Sequence, residues 1–460
     1  MKLENSLTAT SRAALPTHKI AFEDDLRPIR QMISLYLILW LIEGGLRRWF
    51  LPGLSTPLLL IRDPVVISIY FLAWSRNLFP TNAVVVFGII LSFLGVASAL
   101  MVGHGNLMVA LYGARCDFLH VPLIFIMGRV LRPGDVLAVA RIAVWLVIPY
   151  TALMVAQFDE PQTAWVNRGL GDSLTGAGYN GGAEGHFRPP GTFSFITGPA
   201  LLYPLFTACW FVLLLARKLP VWLMVASGLA ILVAIPVSIS RGLFLAVAMV
   251  TAVGIVVLLM SGRLSLQLLI QVALAAILIP LVAAQIPAFK DGMAAFGKRW
   301  ENSTTEAGGF QQAIVDRVVE NLFGSFDKVT CLGLGTGFST NVGQKLLTSQ
   351  LGFGASEAEW GRLLYDNGFL LGSLLIGYRV ALASIIALAA LRSWRRRSPS
   401  SLIIISAGFL NILNGQWGQA TELGAAIIAG GLALAAANQE SPNLAWKTEY
   451  SDRKESFPLA

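Results

Sequence analysis

The sequence predicts an all-α integral membrane protein with about twelve transmembrane helices, or 10–12 by hydropathy. Hydrophobic residues make up 55% of the chain and charged residues 13%, whereas charged residues are roughly a quarter of a globular domain. Apolar runs such as 221–238 and 243–260 reach the roughly 18 residues that cross a bilayer as helix. The alternation typical of transmembrane β-strands is absent, so each span is predicted to satisfy its own backbone as a helix.

Each predicted span is an apolar run bounded by polar or charged residues. The segments outside the spans divide the chain into a tail over 1–30, a single transmembrane domain over 31–437 and a second tail over 438–460. The first tail has mixed charge and does not resemble a cleavable signal peptide. The predicted spans are 31–50, 57–75, 82–102, 113–130, 136–156, 195–215, 220–238, 242–260, 264–284, 361–391, 401–416 and 421–437.

Basic residues orient these spans. An even number of spans puts both termini on one side, and most arginines and lysines in short loops fall on that side. Cytoplasmic loops carry an excess of such residues, so both tails are predicted to be cytoplasmic. The net charge of +8 then reflects orientation and does not indicate a nucleic-acid partner. Arg47 and Arg48 depart from the pattern, and the first hairpin could be re-entrant around Pro52 and Pro57.

Two predicted non-cytoplasmic loops, 157–194 and 285–360, are much longer than the others. Loops of that length in a compact protein are usually functional or disordered. The first contains a glycine-rich run over 176–185. Apolar periodicity over 310–326 predicts that the second is partly helical. The Gly-Leu-Gly-Thr-Gly sequence that begins at Gly333 predicts a tight turn.

Metal, cofactor and disulfide chemistry are not predicted. The three cysteines Cys116, Cys209 and Cys331 have neither paired nor metal-like spacing, and the four histidines form no cluster in the sequence.

Arg188 and Arg241 are the first candidate site residues. Arg188 precedes the sixth predicted span and Arg241 opens the eighth, so both face the same outer vestibule. A guanidinium keeps its charge and holds phosphate oxygens through a rigid fork, which suits a lipid-linked diphosphate. Each arginine could instead reach the membrane interface or pair with a carboxylate.

Acidic residues cluster where the second long loop enters the tenth predicted span. Glu357 and Glu359 are candidate general bases, because a carboxylate can take the proton from an attacking sugar hydroxyl. Glu359, Arg362 and Asp366 would lie on one helical face at i, i+3 and i+7. The alternative is a salt-bridge ladder along one helix with no chemistry.

Two further residues are supporting candidates. His186 could act as an acid or base, although a single loop histidine is more often incidental. Arg317 could make the electrostatic potential of the vestibule more positive, although an arginine in a partly solvated loop is more often a surface charge.

The order of these motifs resembles the O-antigen ligase and O-antigen polymerase family of polytopic bacterial glycosyltransferases. That family tends to show an arginine before Gly-Thr-Phe, a Ser-Arg-Gly step that opens a later span and a large periplasmic loop with Gly-x-Gly. Its last motif is a His-Asn-x-Tyr-Leu helix that ends in Glu-x-Gly-x-x-Gly. The corresponding residues here are Arg188-Pro-Pro-Gly-Thr-Phe, Ser240-Arg241-Gly242, Gly333-Leu-Gly335 and the segment 357–372.

The resemblance implies a GT-C-like ligase or polymerase architecture with a large, partly helical periplasmic loop. It implies inverting, metal-independent transfer of a glycan from undecaprenyl diphosphate to an acceptor sugar at the periplasmic face of the bacterial inner membrane. Arg188 and Arg241 would hold the diphosphate. Glu357 replaces the family's usual histidine, which favours a polymerase of exopolysaccharide or O-antigen repeat units over a lipid A core ligase.

Two other classes of function remain open. A secondary transporter or a lipid-linked sugar flippase also needs many spans, but transporters usually place charge or broken helices near the bilayer midplane. The midspan segments here show little charge in the sequence, and the unusual residues gather in outer loops. A scaffold in a polysaccharide export complex is the third reading. The expected partners are the lipid-linked oligosaccharide, the acceptor glycan, membrane lipid and polysaccharide export proteins.

Overall fold

The computed structural model describes residues 25–170, 182–261, 270, 277–306, 329–348, 358–396 and 398–438. Every regular element in these ranges is helical, which confirms the predicted all-α class. The α-helices are α1 (Arg27–Gly45), α2 (Asp63–Trp74), α3 (Ala83–Met101), α4 (Leu107–Ala114), α5 (Val121–Val130), α6 (Pro133–Asp159), α7 (Thr197–Leu215), α8 (Val221–Val237), α9 (Arg241–Met260), α10 (Ile277–Ala283), α11 (Pro287–Glu306), α12 (Asn341–Thr348), α13 (Glu359–Arg395), α14 (Ser400–Ser406), α15 (Phe409–Asn414) and α16 (Ala420–Asn438).

The described residues contain nine helical segments that are long and apolar enough to cross a membrane. The chain is therefore a multi-pass membrane protein. Among these spans, α7 and α16 lie at the centre of the bundle, since 83% and 78% of their apolar windows are buried. The outer helices expose large apolar side chains such as Phe71 and Phe93, and such a surface suits contact with lipid. The segments are Arg27–Phe50, Pro57–Trp74, Ala83–Met101, Leu107–Val130, Pro133–Asp159, Thr197–Leu215, Arg241–Met260, Glu359–Arg395 and Ala420–Asn438.

Three predicted spans differ in the structure. The predicted span 401–416 is two short helices, α14 and α15, of seven and six residues. The predicted span 264–284 lies mostly outside the described residues, and its described end, α10, meets α11 at an angle of 88°. The predicted span 220–238 is the helix α8, whose 17 residues are apolar but shorter than the other spans.

The described residues include parts of both long loops. The second contains α11 and α12, so helical structure in this loop is confirmed. The predicted helical stretch 310–326 and the glycine-rich run 176–181 lie outside the described residues.

The bundle has two ends that its contacts define. The proximal end is where α1 begins, and there Arg30 Nε donates to the carbonyl of Val130, the last residue of α5, over 2.9 Å. The distal end is where α1 finishes, and there Trp40 donates to the carbonyl of Thr421 near the start of α16 over 2.8 Å. The distal end holds all of the candidate site residues that the structure describes.

The connection from α1 to α2 is irregular and enters the protein. It consists of a π-helical turn over Leu46–Phe50 and two short 3₁₀ turns, Pro52–Leu54 and Pro57–Leu60. Arg47 and Arg48, which contradicted the charge pattern, are 9% and 1% exposed. They are buried structural residues, so they do not bear on the orientation of the spans.

Candidate functional site

The helix α13 folds back on itself at Gly368. This glycine has φ 72° and ψ 176°, a conformation that other residues avoid. Glu359 Oε1 lies 3.2 Å from Arg379 Nη1, yet their 20-residue separation would place them about 30 Å apart along a straight helix. The element of 37 residues is therefore a helical hairpin with a short arm before Gly368 and a spanning arm after it.

The turn of this hairpin is packed against the glycine-rich segment that begins at Gly333. The backbone N–H of Phe369 donates to the Thr330 carbonyl over 3.0 Å, and that of Gly335 donates to the Asp366 carbonyl over 2.7 Å. All three glycines of the Gly-Leu-Gly-Thr-Gly sequence have positive φ, which confirms the predicted tight turn. A Cβ on Gly333 would lie 2.2 Å from the Gly368 nitrogen, so the approach of these two chain segments requires glycine.

Arg362 joins three carboxylates in the interior of the distal end. Its guanidinium donates to both oxygens of Glu359 over 2.8 and 2.9 Å, to Asp117 Oδ1 over 2.9 Å and to Asp366 Oδ2 over 3.3 Å. All four residues are at most 5% exposed. The predicted face of Glu359, Arg362 and Asp366 is thus confirmed as a set of ion pairs, but Asp117 comes from a distant helix. The cost of burying ionised groups is offset when they are paired and hydrogen-bonded to one another.

Arg379 is the second buried cation of this cluster. It donates to Glu359, and its Nε donates to the Ile412 carbonyl over 2.7 Å. Its guanidinium carbon lies 3.4 Å from the ring centroid of Trp417, close enough for a cation–π interaction. The backbone N–H of Trp417 also hydrogen-bonds to Glu359. Glu359 is therefore held by two arginines and one backbone amide.

A small cleft, with enclosed space of about 10 Å³, opens beside this cluster. Most of the residues that line it are polar, but the accessible surface of its wall is more apolar than polar. Ser339 is buried beside the cleft, and its backbone N–H donates to Asp366 Oδ1 over 3.0 Å. The cleft is lined by Ser339, Thr340, Asn341, Ala358, Glu359, Arg362, Gln416, Gly418 and Gln419.

A second set of buried polar groups lies where α1, α2 and the segment 115–120 meet. Asp63 accepts hydrogen bonds from Arg115 over 2.7 and 2.8 Å and contacts His120 Nε2 at 3.0 Å. His120 Nδ1 lies 2.9 Å from the Tyr36 hydroxyl, which accepts from Arg62 over 3.3 Å. The prediction that midspan segments carry little charge is therefore wrong for these spans. A single charged residue among many apolar ones changes the average hydropathy of a span only slightly.

Arg188 is followed by a segment that many groups hold in place. Arg48 donates to the carbonyls of Gly191 and Phe193 over 3.1 and 3.0 Å. The Gln157 side chain both accepts from the Gly191 N–H, over 2.8 Å, and donates to its carbonyl, over 3.0 Å. Arg188 itself is half-buried. These hydrogen bonds therefore fix the backbone at Gly191, three residues after Arg188.

Arg241 begins α9 directly after a strained turn. Ile239 has φ 47°, which is unusual for a β-branched residue, and it is fully buried. The Ser240 hydroxyl accepts from the Leu243 N–H over 3.3 Å and caps the helix. Close packing of Gly254 on Phe211, near the proximal end of α7, places the opposite end of α9, with Arg241, at the distal end.

The other predicted site residues have different outcomes. His186 stacks on Phe158 with ring centroids 4.0 Å apart, and its Nδ1 lies 3.0 Å from the Phe158 carbonyl, so it holds the loop against α6. Glu357 and Arg317 lie outside the described residues. In the part of the chain that the structure describes, no group of three or more histidine, cysteine or acidic side chains is arranged to hold a metal ion.

No family model, curated protein or solved structure matches this chain.

Sequence reasoning missed Asp117, Arg379 and Ser339. The first two are single ionisable residues within predicted spans. Such residues are expensive in lipid and mark functional or structural partners, so each was a detectable signal. Ser339 carried no signal, because nothing in the sequence shows that its hydroxyl is buried beside a cleft.

Proposed function

We propose that the protein is a glycan polymerase or ligase of the O-antigen ligase and polymerase type. It would transfer an oligosaccharide from undecaprenyl diphosphate to an acceptor sugar hydroxyl at the periplasmic face of the bacterial inner membrane, with both termini in the cytoplasm. The observation that carries the proposal is the buried cluster of Glu359 and Arg362 beside a small cleft, at the same end of the bundle as Arg188 and Arg241.

In the proposed reaction, an acceptor hydroxyl oxygen attacks the anomeric carbon of the donor sugar. The bond from that carbon to the diphosphate oxygen breaks, and the hydroxyl proton passes to a carboxylate. Negative charge builds on the departing diphosphate, where Arg188 and Arg241 would stabilise it. The position of Arg241 at the N-terminus of α9 supports this role, because anions are favoured at that end of a helix.

Glu357 and Glu359 are both retained as candidate bases. Glu359 would have to release one of its bonds to Arg362, Arg379 or Trp417 before its carboxylate could take a proton. Glu357 stands two residues earlier, at the start of the same acidic segment. The two assignments are separated by the experiment below.

The test is glycan formation by membrane vesicles that carry Arg188→Ala, Arg241→Ala, Glu357→Gln or Glu359→Gln. We expect either arginine change to lower long-chain glycan at least about 100-fold while lipid-linked repeat units accumulate. The glutamine variant that matches this loss identifies the base. Arg392→Ala is the matched control, because Arg392 is exposed at the proximal end of α13. Full-length glycan from all four variants would refute the transferase.

A secondary transporter or flippase is the second candidate function. The observation in its favour is the buried pair of Asp63 and Arg115 with His120 inside the bundle, since intramembrane ionisable residues often mark transport pathways. Uptake or flipping of a lipid-linked sugar by protein in liposomes, unaffected by Arg188→Ala and Arg241→Ala, would favour this function over transfer.

A further inference from the structure

We infer that Gln157, near the end of α6, is a positioning residue for Arg188, which binds the donor diphosphate from the place where α6 holds it. The role of Arg188 as a diphosphate ligand rests on the proposed function. The observations that carry the positioning role are the contacts of α6 on both sides of Arg188 and the two prolines that follow this arginine.

On one side of Arg188, the Gln157 side chain holds the backbone of Gly191. Its Oε1 accepts from the Gly191 N–H over 2.8 Å, and its Nε2 donates to the Gly191 carbonyl over 3.0 Å. Gln157 is 1% exposed, so these bonds are shielded from water. Both polar atoms of one amide are used on one residue, which fixes both the position and the direction of the chain at Gly191.

On the other side of Arg188, the next residue of α6 holds His186. The rings of Phe158 and His186 stack with centroids 4.0 Å apart and 4° between their planes, and the Phe158 carbonyl lies 3.0 Å from His186 Nδ1. Gln157 and Phe158 thus contact the chain on both sides of Arg188. Because they are adjacent residues of one helix, the two ends of the short stretch that contains Arg188 are fixed to the same rigid element.

The chain between Arg188 and Gly191 is stiff. Pro189 and Pro190 are both buried, and the ring of each fixes its own φ near about −65°. Arg188, as the residue before a proline, is itself restricted to extended conformations. The Pro190 carbonyl accepts from the Phe193 N–H over 3.0 Å, which closes a turn at Gly191. A displacement of Gly191 is therefore transmitted to the backbone of Arg188.

The position of Arg188 matters because a guanidinium holds two phosphate oxygens through a rigid fork. A misplacement of about 1 Å is enough to lose about 100-fold in the rate of a reaction that depends on such geometry. Gln157 is committed to the backbone of Gly191 and Val166, so it acts on the diphosphate only through Arg188. Loss of Gln157 should therefore weaken diphosphate binding only when Arg188 is present.

The experiment measures binding of undecaprenyl diphosphate, without a sugar, to the full-length protein in lipid nanodiscs. It compares the wild type, Gln157→Met, Arg188→Ala and the double variant. We expect Gln157→Met to weaken binding about five- to tenfold when Arg188 is present and less than about twofold when it is replaced. Hydrogen exchange at the amides of Phe187 and Arg188 should accelerate at least about tenfold in Gln157→Met.

Thr151→Val is the matched control on the same helix. The Thr151 hydroxyl is buried and hydrogen-bonds to the Tyr203 hydroxyl over 2.7 Å and to the Ala230 carbonyl over 3.1 Å. Its loss removes buried hydrogen bonds from α6 without removing a bond to the segment that follows Arg188. We expect lower stability in thermal unfolding, with diphosphate binding and hydrogen exchange at Arg188 unchanged.

Unchanged hydrogen exchange or unchanged binding in Gln157→Met would overturn the inference. Equal weakening with and without Arg188 would overturn it as well, because that result marks a structural role alone.

A glycan transfer assay on the same preparations separates failure of the inference from failure of the transferase. Weak binding by Arg188→Ala, with no effect of Gln157→Met, refutes the positioning role alone. Wild-type binding by Arg188→Ala refutes both the positioning role and the assignment of Arg188 to the donor. The expected binding pattern in wild-type protein that transfers no glycan supports the positioning role and refutes the enzyme.

Discussion

Arg362 Nη2 donates to Asp117 Oδ1 over 2.9 Å, although 245 residues separate them in the chain. This bond joins the short arm of the α13 hairpin to the π-helical turn Arg115–Leu119. The turn also presents Arg115 to Asp63. Arg115 and Asp117, two residues of one turn, thus connect the cluster at the cleft with the polar group that contains His120.

Arg362→Met should destabilise the protein by about 3–5 kcal/mol, because it leaves three buried carboxylates without their shared cation. Thermal unfolding in detergent measures the change. Arg392→Met removes an exposed arginine from the same helix and should shift the midpoint little. A midpoint for Arg362→Met equal to that of the control would contradict the ion-pair cluster.

Gly368→Ala should destabilise the fold by at least about 2 kcal/mol. A Cβ there would lie 2.4 Å from the Cys331 carbonyl oxygen, at a backbone conformation that alanine avoids. Gly377→Ala is the control in the same helix, since a Cβ at Gly377 meets nothing within 4 Å. Unfolding of both variants by urea provides the comparison, and equal stabilities would argue against the hairpin turn.

Arg48→Met should loosen the segment that follows Arg188. It removes the bonds from Arg48 to the carbonyls of Gly191 and Phe193, and leaves Gly191 with the Gln157 donor alone. Hydrogen exchange of the amides around Gly191 should therefore accelerate at least about tenfold, whereas amides in the middle of α16 should not change. If the protein is a transferase, its KM for the lipid-linked donor should rise more than its kcat falls. Arg141→Met, which alters an exposed arginine of α6, is the control.

Tyr36→Phe should cost about 1–2 kcal/mol, because the Tyr36 hydroxyl bonds to both His120 and Arg62. We expect glycan transfer to persist, since the hydroxyl lies in the polar group that is separate from the cleft. Tyr70→Phe is the control, with a hydroxyl that donates to the Leu119 carbonyl. Abolished transport activity with Tyr36→Phe alone would support the transporter instead.

Hydropathy predicted the fold class and most spans, because apolar length alone decides whether a helix can cross a bilayer. Helical spacing also placed Glu359, Arg362 and Asp366 on one face, which the ion pairs confirm. Neither signal found the turn at Gly368, although this glycine follows Asp366 and Asn367 and the Asn-Gly pair is itself a turn signal. The pairing with Asp117 depends on tertiary packing across 245 residues, which local pattern cannot supply. The assignment of catalytic roles to Arg188, Arg241, Glu357 and Glu359 stays a prediction.

The hairpin at Gly368 has a consequence for how the protein is made. Its short arm carries Glu359, Arg362 and Asp366 within eight residues, and each ionised residue at the centre of a lone helix opposes entry into lipid by roughly 3 kcal/mol. The arm therefore cannot enter the bilayer as an independent segment. It must dock against Asp117 and Arg379 after both have been translated and inserted, which makes the cleft one of the last parts of the molecule to form during biogenesis.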